Sequence, residues 1–346
     1  NPVAVMINKA MIEIPPKFSG QAPVGPIPES DKTSKKKATK DMLEDWGGAK
    51  GLAEDVRRYG HWMREEALKR IGHLYPKVKI TDEMVAERPD LKIYAGEELT
   101  VIAWLWARTV KSPSPAFSHV AVPLVRSFAL SSKKGKEAWI EPIIEGDHYR
   151  FQVRMGKMPS DAIDGTVVRT GGTCILSRAA MPFTHIRSEG KAGRINEKLM
   201  AIIAEGKKGR IYLSPTQEMI DTAASALPNW KPEHALPVNP RDFKTPNYGM
   251  NSFGDLFSPR QLLSLSTFSD LIQEARNRAI IDAKNTGLFD DGLGINDGGK
   301  GATAYGDALA VYLSFAVDRL ADYNSSIATW KPSGEQVMQT YKRQAI

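Results

Sequence analysis

The stretch Thr100-Val101-Ile102-Ala103-Trp104-Leu105-Trp106 decides the fold class of this chain. Branched and aromatic side chains dominate it, and they fit a pleated strand better than a helix. Turn residues between Lys111 and Pro123 close the run, which predicts a β-strand. Toward the carboxyl terminus, similar short runs follow at 124–130, 138–144, 149–153, 166–169 and 173–176. Gly and Pro punctuate them, so residues 100–213 read as a small β-rich module.

Helical patterns flank it. Leu52, Val56, Tyr59, Met63, Ala67 and Ile71 recur at three- and four-residue steps, with Asp55, Arg58, Arg64, Glu65 and Lys69 between them. This predicts an amphipathic helix within 42–74 that ends near Gly72 and Pro76. Residues 2–14 predict a helix with Pro2 in its first turn and Pro15-Pro16 as its stop. From Ser19 to Lys40 the chain reads as a loop. Its run Lys35-Lys36-Lys37 is either a solvated face or a phosphate contact. Residues 198–205 and 214–226 read as helices, the second started by Ser214-Pro215-Thr216, and 228–254 as a loop. The clearest helices are 259–283 and 302–323, joined by the Gly/Asp-rich stretch 287–301. The fold class expected is therefore α+β.

Composition excludes several classes. No apolar run reaches the roughly 18 residues of a membrane span. The longest candidate, 308–320, is broken by Ser314, Asp318 and Arg319. No signal-peptide pattern opens the chain, so a soluble cytoplasmic protein with no membrane partner is expected. Cys174 is the single cysteine, which rules out an internal disulfide. The net charge of +7 suits a polyanionic partner but does not demand one.

Few constellations carry chemistry. Asp290-Asp291 and Asn296-Asp297 lack the ligand spacing and closing Glu of a calcium loop, so 287–301 reads as a helix-to-helix connection. Gly298-Gly299-Lys300-Gly301 follows no strand and precedes no Ser or Thr, which removes a phosphate-loop reading. No histidine neighbours Cys174 in sequence, and a buried structural thiol is expected. The main basic cluster is Arg187, Lys191, Arg194, Lys198, Lys207, Lys208 and Arg210, set against Glu189, Glu197 and Glu205. Trp104, Trp106 and Tyr212 flank the module. Cations beside aromatics suit a nucleic-acid surface, and an ordinary solvated face is the alternative.

Asn1-Pro2-Val3-Ala4-Val5-Met6-Ile7-Asn8-Lys9-Ala10, followed by Ile14-Pro15-Pro16, resembles a motif region of the adenine-specific DNA methyltransferases that carry an inserted zinc ribbon. The likeness continues at Ala103–Val110, Pro123–Phe128, Glu189–Arg194, Tyr248–Met250, Gly254–Phe257, Arg260-Gln261, Asp318–Asn324 and Arg343–Ile346. It therefore runs close to the whole length.

The resemblance implies the edge of a Rossmann-like domain over 1–18, loop and helix over 19–99, a zinc-ribbon-like insertion over 100–213, and helices over 214–346 leading to the catalytic motif. It implies S-adenosylmethionine as the complete enzyme's cofactor, DNA as substrate, and Asn1 and Pro2 beside the acid that holds the cofactor's ribose. The family's Gly-rich cofactor loop would lie before Asn1 and its Asp-Pro-Pro-Tyr motif after Ile346. The chain alone is therefore expected neither to bind the cofactor nor to transfer methyl groups. The family's four ribbon cysteines fall on Ser112, Phe117, Cys174 and Ser177, so no zinc is expected. The readings in play are a segment of an adenine-N6 methyltransferase, or a non-catalytic DNA-binding or interaction module. The module would act by itself or with a split partner chain that supplies the missing motifs.

Overall fold

The computed structural model describes residues 1–32, 45–239 and 244–341, and it mixes helices with several small sheets, as the α+β expectation requires. Lys35-Lys36-Lys37 and Arg343–Ile346 lie outside the described residues. The chain forms two compact units, Asn1–His73 with Leu263–Ala321, and Leu74–Leu262 with Asp322–Ile346. The segments read as 19–99 and 214–346 each contribute to both units.

The first unit is helical. Leu271, Ala275, Ala279 and Ala283 recur every fourth residue of the helix Pro259–Asn285 and are fully buried. Opposite them, on the helix Ala302–Tyr323, a Cβ on Gly306 would stand 2.6 Å from Cγ1 of Ile280. Small residues thus let these helices approach closely. The helix Lys50–Ile71 adds Leu52, Tyr59, Met63 and Ala67 to the same core. The Gly/Asp stretch between the last two helices is a connection, as expected. Its Asp290 and Asp291 accept the amides of Gly292, Thr303, Leu293 and Lys300.

Two expectations fail in this unit. Pro15 and Pro16 do not stop the first helix: Pro2–Asn8 runs through a π-helical turn, Lys9–Glu13, into Ile14–Lys17. In that wider turn the Ile14 amide bonds the Lys9 carbonyl, and Pro15 has no N–H to offer. The hydroxyl of Tyr312 supplies the Ala10 carbonyl instead, at 2.6 Å. Asp55 and Arg58, assigned to the helix's outer face, are buried. Asp55 accepts the amides of Val24 and Gly25 at 2.8 and 2.7 Å and the hydroxyl of Tyr305 at 2.6 Å.

The second unit is built on an antiparallel four-stranded sheet in the order Gly209–Leu213, Asn196–Gly206, Val101–Lys111, Ala121–Pro123. One face packs Ala103, Ala107, Ala201 and Ile203 against a core shared with the three-stranded sheet Ala129–Ser131, Ala138–Glu145, His148–Met155. The other packs Leu199, Ile202 and Trp104 against Val78, Ile80, Leu91, Tyr94 and Met219. Residues 198–205 are therefore a strand and not the expected helix. A strand covered on both faces reads as a continuous apolar run, and that pattern does not separate it from a buried helix. The following helix is Gln217–Ala224, with the Thr216 hydroxyl accepting from the Met219 amide.

Candidate nucleic-acid interface

The helix Phe183–Lys191 was not predicted, yet it carries the site. Ile186 and Gly190, four residues apart, are its buried side. Thr184, Arg187, Ser188 and Lys191, at steps of three, one and three, form its exposed side and line a shallow open depression together with Ala192. This spacing puts two cations and two hydroxyls on one face.

Glycine fixes where this helix sits. A Cβ on Gly190 would lie 2.6 Å from the carbonyl oxygen of Tyr248, in the short 3-10 helix Thr245–Tyr248. Gly249 returns the contact with φ of 87°, a left-handed value that glycine adopts freely. The stretches Glu189–Arg194 and Tyr248–Met250, separate in sequence, are thus packed against each other.

Arg187 is positioned by rings. Its guanidinium carbon lies 5.7 Å from the ring centre of Phe183 and 5.8 Å from that of Tyr248. Stacking of this kind holds the planar fork without neutralising it. Among the described residues, no carboxylate pairs with Arg187 or Lys191. Glu189 is occupied by Arg194 at 2.6 and 2.9 Å, and that guanidinium holds its carboxyl below the ordinary value.

The other members of the basic cluster are elsewhere. Lys198 is half-buried and engaged within the module: its Nζ donates to the Tyr149 carbonyl at 2.8 Å and lies 3.9 Å from that ring's centre. Burial lowers its pKa. Lys207 pairs with Glu97 at 2.6 Å. Lys207, Lys208 and Arg210 cluster at the hairpin end of Asn196–Gly206, an 11-residue strand. At the rise of a β-strand it separates them from Arg194 by about 35 Å. Seven residues that look like one cluster in sequence therefore occupy a helix face, the turn after it that holds Arg194, a half-buried strand position and a hairpin tip. The flanking aromatics also differ from the expectation of free ring faces. Trp104 packs under Arg260 at 4.4 Å, Trp106 joins the second core, and the Tyr212 hydroxyl donates to Glu335 at 2.9 Å.

The four ribbon positions converge in part. Ser112 follows the long strand and is buried, as is Cys174. The hydroxyls of Ser112 and Ser177 reach the Cys174 sulfur, as does the Ser177 amide at 3.4 Å. Burial pushes the thiol up, but these hydrogen bonds outweigh it and its pKa ends below the ordinary value. Phe117 instead packs on the adjoining core and stacks on His119. His185 contacts the Lys111 carbonyl at 3.0 Å. Among the described residues, no three His, Cys, Asp or Glu side chains are grouped to hold a metal ion. At the amino terminus, Asn1 accepts the Val3 amide at 3.0 Å as a helix cap, with Pro2 exposed beside it.

No family model, curated protein or solved structure matches this chain. Among the described residues, no helix is long and apolar enough to cross a membrane.

Proposed function

We propose that this chain is the DNA-engaging segment of an S-adenosylmethionine-dependent adenine-N6 methyltransferase, and that it grips DNA phosphates through the helix Phe183–Lys191. The observation that carries the reading is the exposed face of Arg187 and Lys191, shared with Thr184 and Ser188, with no carboxylate paired to either cation among the described residues. Phosphate oxygens take bidentate bonds from an arginine fork, a point charge from lysine, and single bonds from hydroxyls. The methyltransferase half of the reading rests on the sequence resemblance. Its support here is that two of the resembling stretches, Glu189–Arg194 and Tyr248–Met250, build this one site together.

S-adenosylmethionine belongs to the complete enzyme. Asn1, which the resemblance places beside the family's ribose-binding acid, uses its side-chain oxygen to cap the first helix through the Val3 amide. Sequence flanking this segment, or a second chain, would supply the cofactor and catalytic motifs. A DNA-binding module without catalysis is the competing reading, and the same helix face favours DNA in both. Reading frames flanking the gene separate the two, through a Gly-rich loop upstream and Asp-Pro-Pro-Tyr downstream.

Fluorescence anisotropy with a labelled duplex at several salt concentrations tests the DNA contact. Replacing Arg187 and Lys191 by Ala removes two phosphate contacts and flattens the slope of log K against log salt by about 1.8 units. A double variant that matches the parent in affinity and slope would refute this use of the face.

A further inference from the structure

We infer that Trp230 is a base-stacking wedge, placed to insert beside an unpaired or extruded base of the DNA strand that Arg187 and Lys191 hold. The inference rests on the DNA reading given above.

Exposed aromatic area is what first singles out this position. Trp230 is 60% exposed and Leu227, three residues earlier, is 83% exposed. A tryptophan side chain offers about 200 Å² of mostly apolar surface, and leaving it in water forgoes a large part of its burial energy. No ring stacking or hydrogen bond engages its indole among the described residues.

The backbone beside it is fixed. The amide of Gly254 donates to the Pro232 carbonyl at 2.9 Å, that of Phe253 to His234 at 3.0 Å, and that of Leu236 to Asn251 at 2.8 Å. A Cβ on Gly254 would stand 2.6 Å from the Pro232 oxygen. Ala226 and Leu236 are buried on either side of Trp230. The indole thus projects from an anchored segment, and little entropy is lost when a base stacks on it.

Chain connectivity bounds its distance from the cations. Arg187 touches the Tyr248 ring, Gly254 follows six residues later, and Pro232 lies two residues past Trp230. Fully extended, and with the side chains and the hydrogen bond that join its parts, that path spans at most about 50 Å. One turn of duplex DNA is about 34 Å, so about one and a half bound turns can meet both the helix face and the indole.

The chemistry calls for such a group. An enzyme acting on the amino group of adenine must take the base out of its stack, and apolar wedges and flat rings commonly stabilise the unstacked step.

The test uses three labelled oligonucleotides of equal length: a fully paired duplex, the same duplex with one unpaired adenine, and a single strand. Trp230→Ala should weaken binding to the two unpaired probes about tenfold, in line with the 1–3 kcal/mol of one base–aromatic stack. It should leave the paired duplex within about twofold. Trp230→Phe should restore most of the loss. With 2-aminopurine as the unpaired base, the parent should quench its fluorescence and Trp230→Ala should not. Equal affinities of parent and Trp230→Ala for all three probes overturn the wedge. If Arg187→Ala/Lys191→Ala still loses affinity in that experiment, the DNA reading survives without it. If the parent binds no probe even at low salt, both fall.

Discussion

Asp55 concentrates more of the helical unit's order than any residue the pattern flagged. Its carboxylate satisfies two loop amides and one buried phenol, so Asp55→Ala leaves three donors without their acceptor. Chemical denaturation should register a loss of about 3 kcal/mol. Burial dominates its titration and raises the carboxyl above its ordinary value of 3.8, against the pull of Tyr305, Val24, Gly25 and Arg58. The sign follows from linkage. A raised acid contributes stability that is whole below the unfolded value and lost as pH rises through the folded one. Asp55→Asn has nothing to ionise, so the unfolding free energy of the parent minus that of Asp55→Asn should shrink from acid to neutral pH. A gap that stays constant or widens would show that the carboxylate is not held above its ordinary range.

The first helix shows, at the scale of elements, why some of the fold was legible and some was not. The regular stripes of 259–283 and 302–323 each lie in the helix they predict, because one long apolar side faces one core. Pro15 and Pro16 misled because proline's local rule yields when a π-turn and the Tyr312 hydroxyl serve the stranded Ala10 carbonyl. Tyr312→Phe should therefore cost about 1 kcal/mol, read as a shift in denaturation midpoint without a change in slope. Residues 198–205 misled because both faces of their strand are covered, which erases the alternation that marks a strand. At the site, the basic residues were visible in sequence but their grouping was not. The step pattern of 184, 187, 188 and 191 against Ile186 and Gly190 was the available signal for the helix, hidden by Gly190 and its short length. Lys198 is the sharpest case. It counts as a cation in sequence, yet its charge lies over the Tyr149 ring. Lys198→Ala should lower stability while leaving the salt slope of DNA binding within about 0.3 units of the parent, where a true phosphate contact would remove about 0.9.

The whole molecule carries its net charge of +7 in unlike ways, partly in ion pairs such as Arg194–Glu189 and Lys207–Glu97 and partly on the open face of Arg187 and Lys191. Affinity for a polyanion depends on the unpaired part, since a cation already paired releases few counterions. This separates DNA binding from cofactor binding in one experiment. On the proposed reading the cationic helix face takes phosphates, while the cofactor is held by the Gly-rich motif of the complete enzyme. Titration calorimetry should therefore show salt-sensitive binding of a short duplex and no heat from S-adenosylmethionine at micromolar protein. Adding a polypeptide that carries the Gly-rich and Asp-Pro-Pro-Tyr motifs should bring cofactor binding and methyl transfer to adenine with it, and Arg187→Ala/Lys191→Ala should then raise KM for DNA more than it lowers kcat, because phosphate contacts hold ground state and transition state alike. Micromolar cofactor binding by the chain alone would contradict the division of labour. A double variant that lowers kcat at unchanged KM would move the helix face from holding DNA to the chemical step.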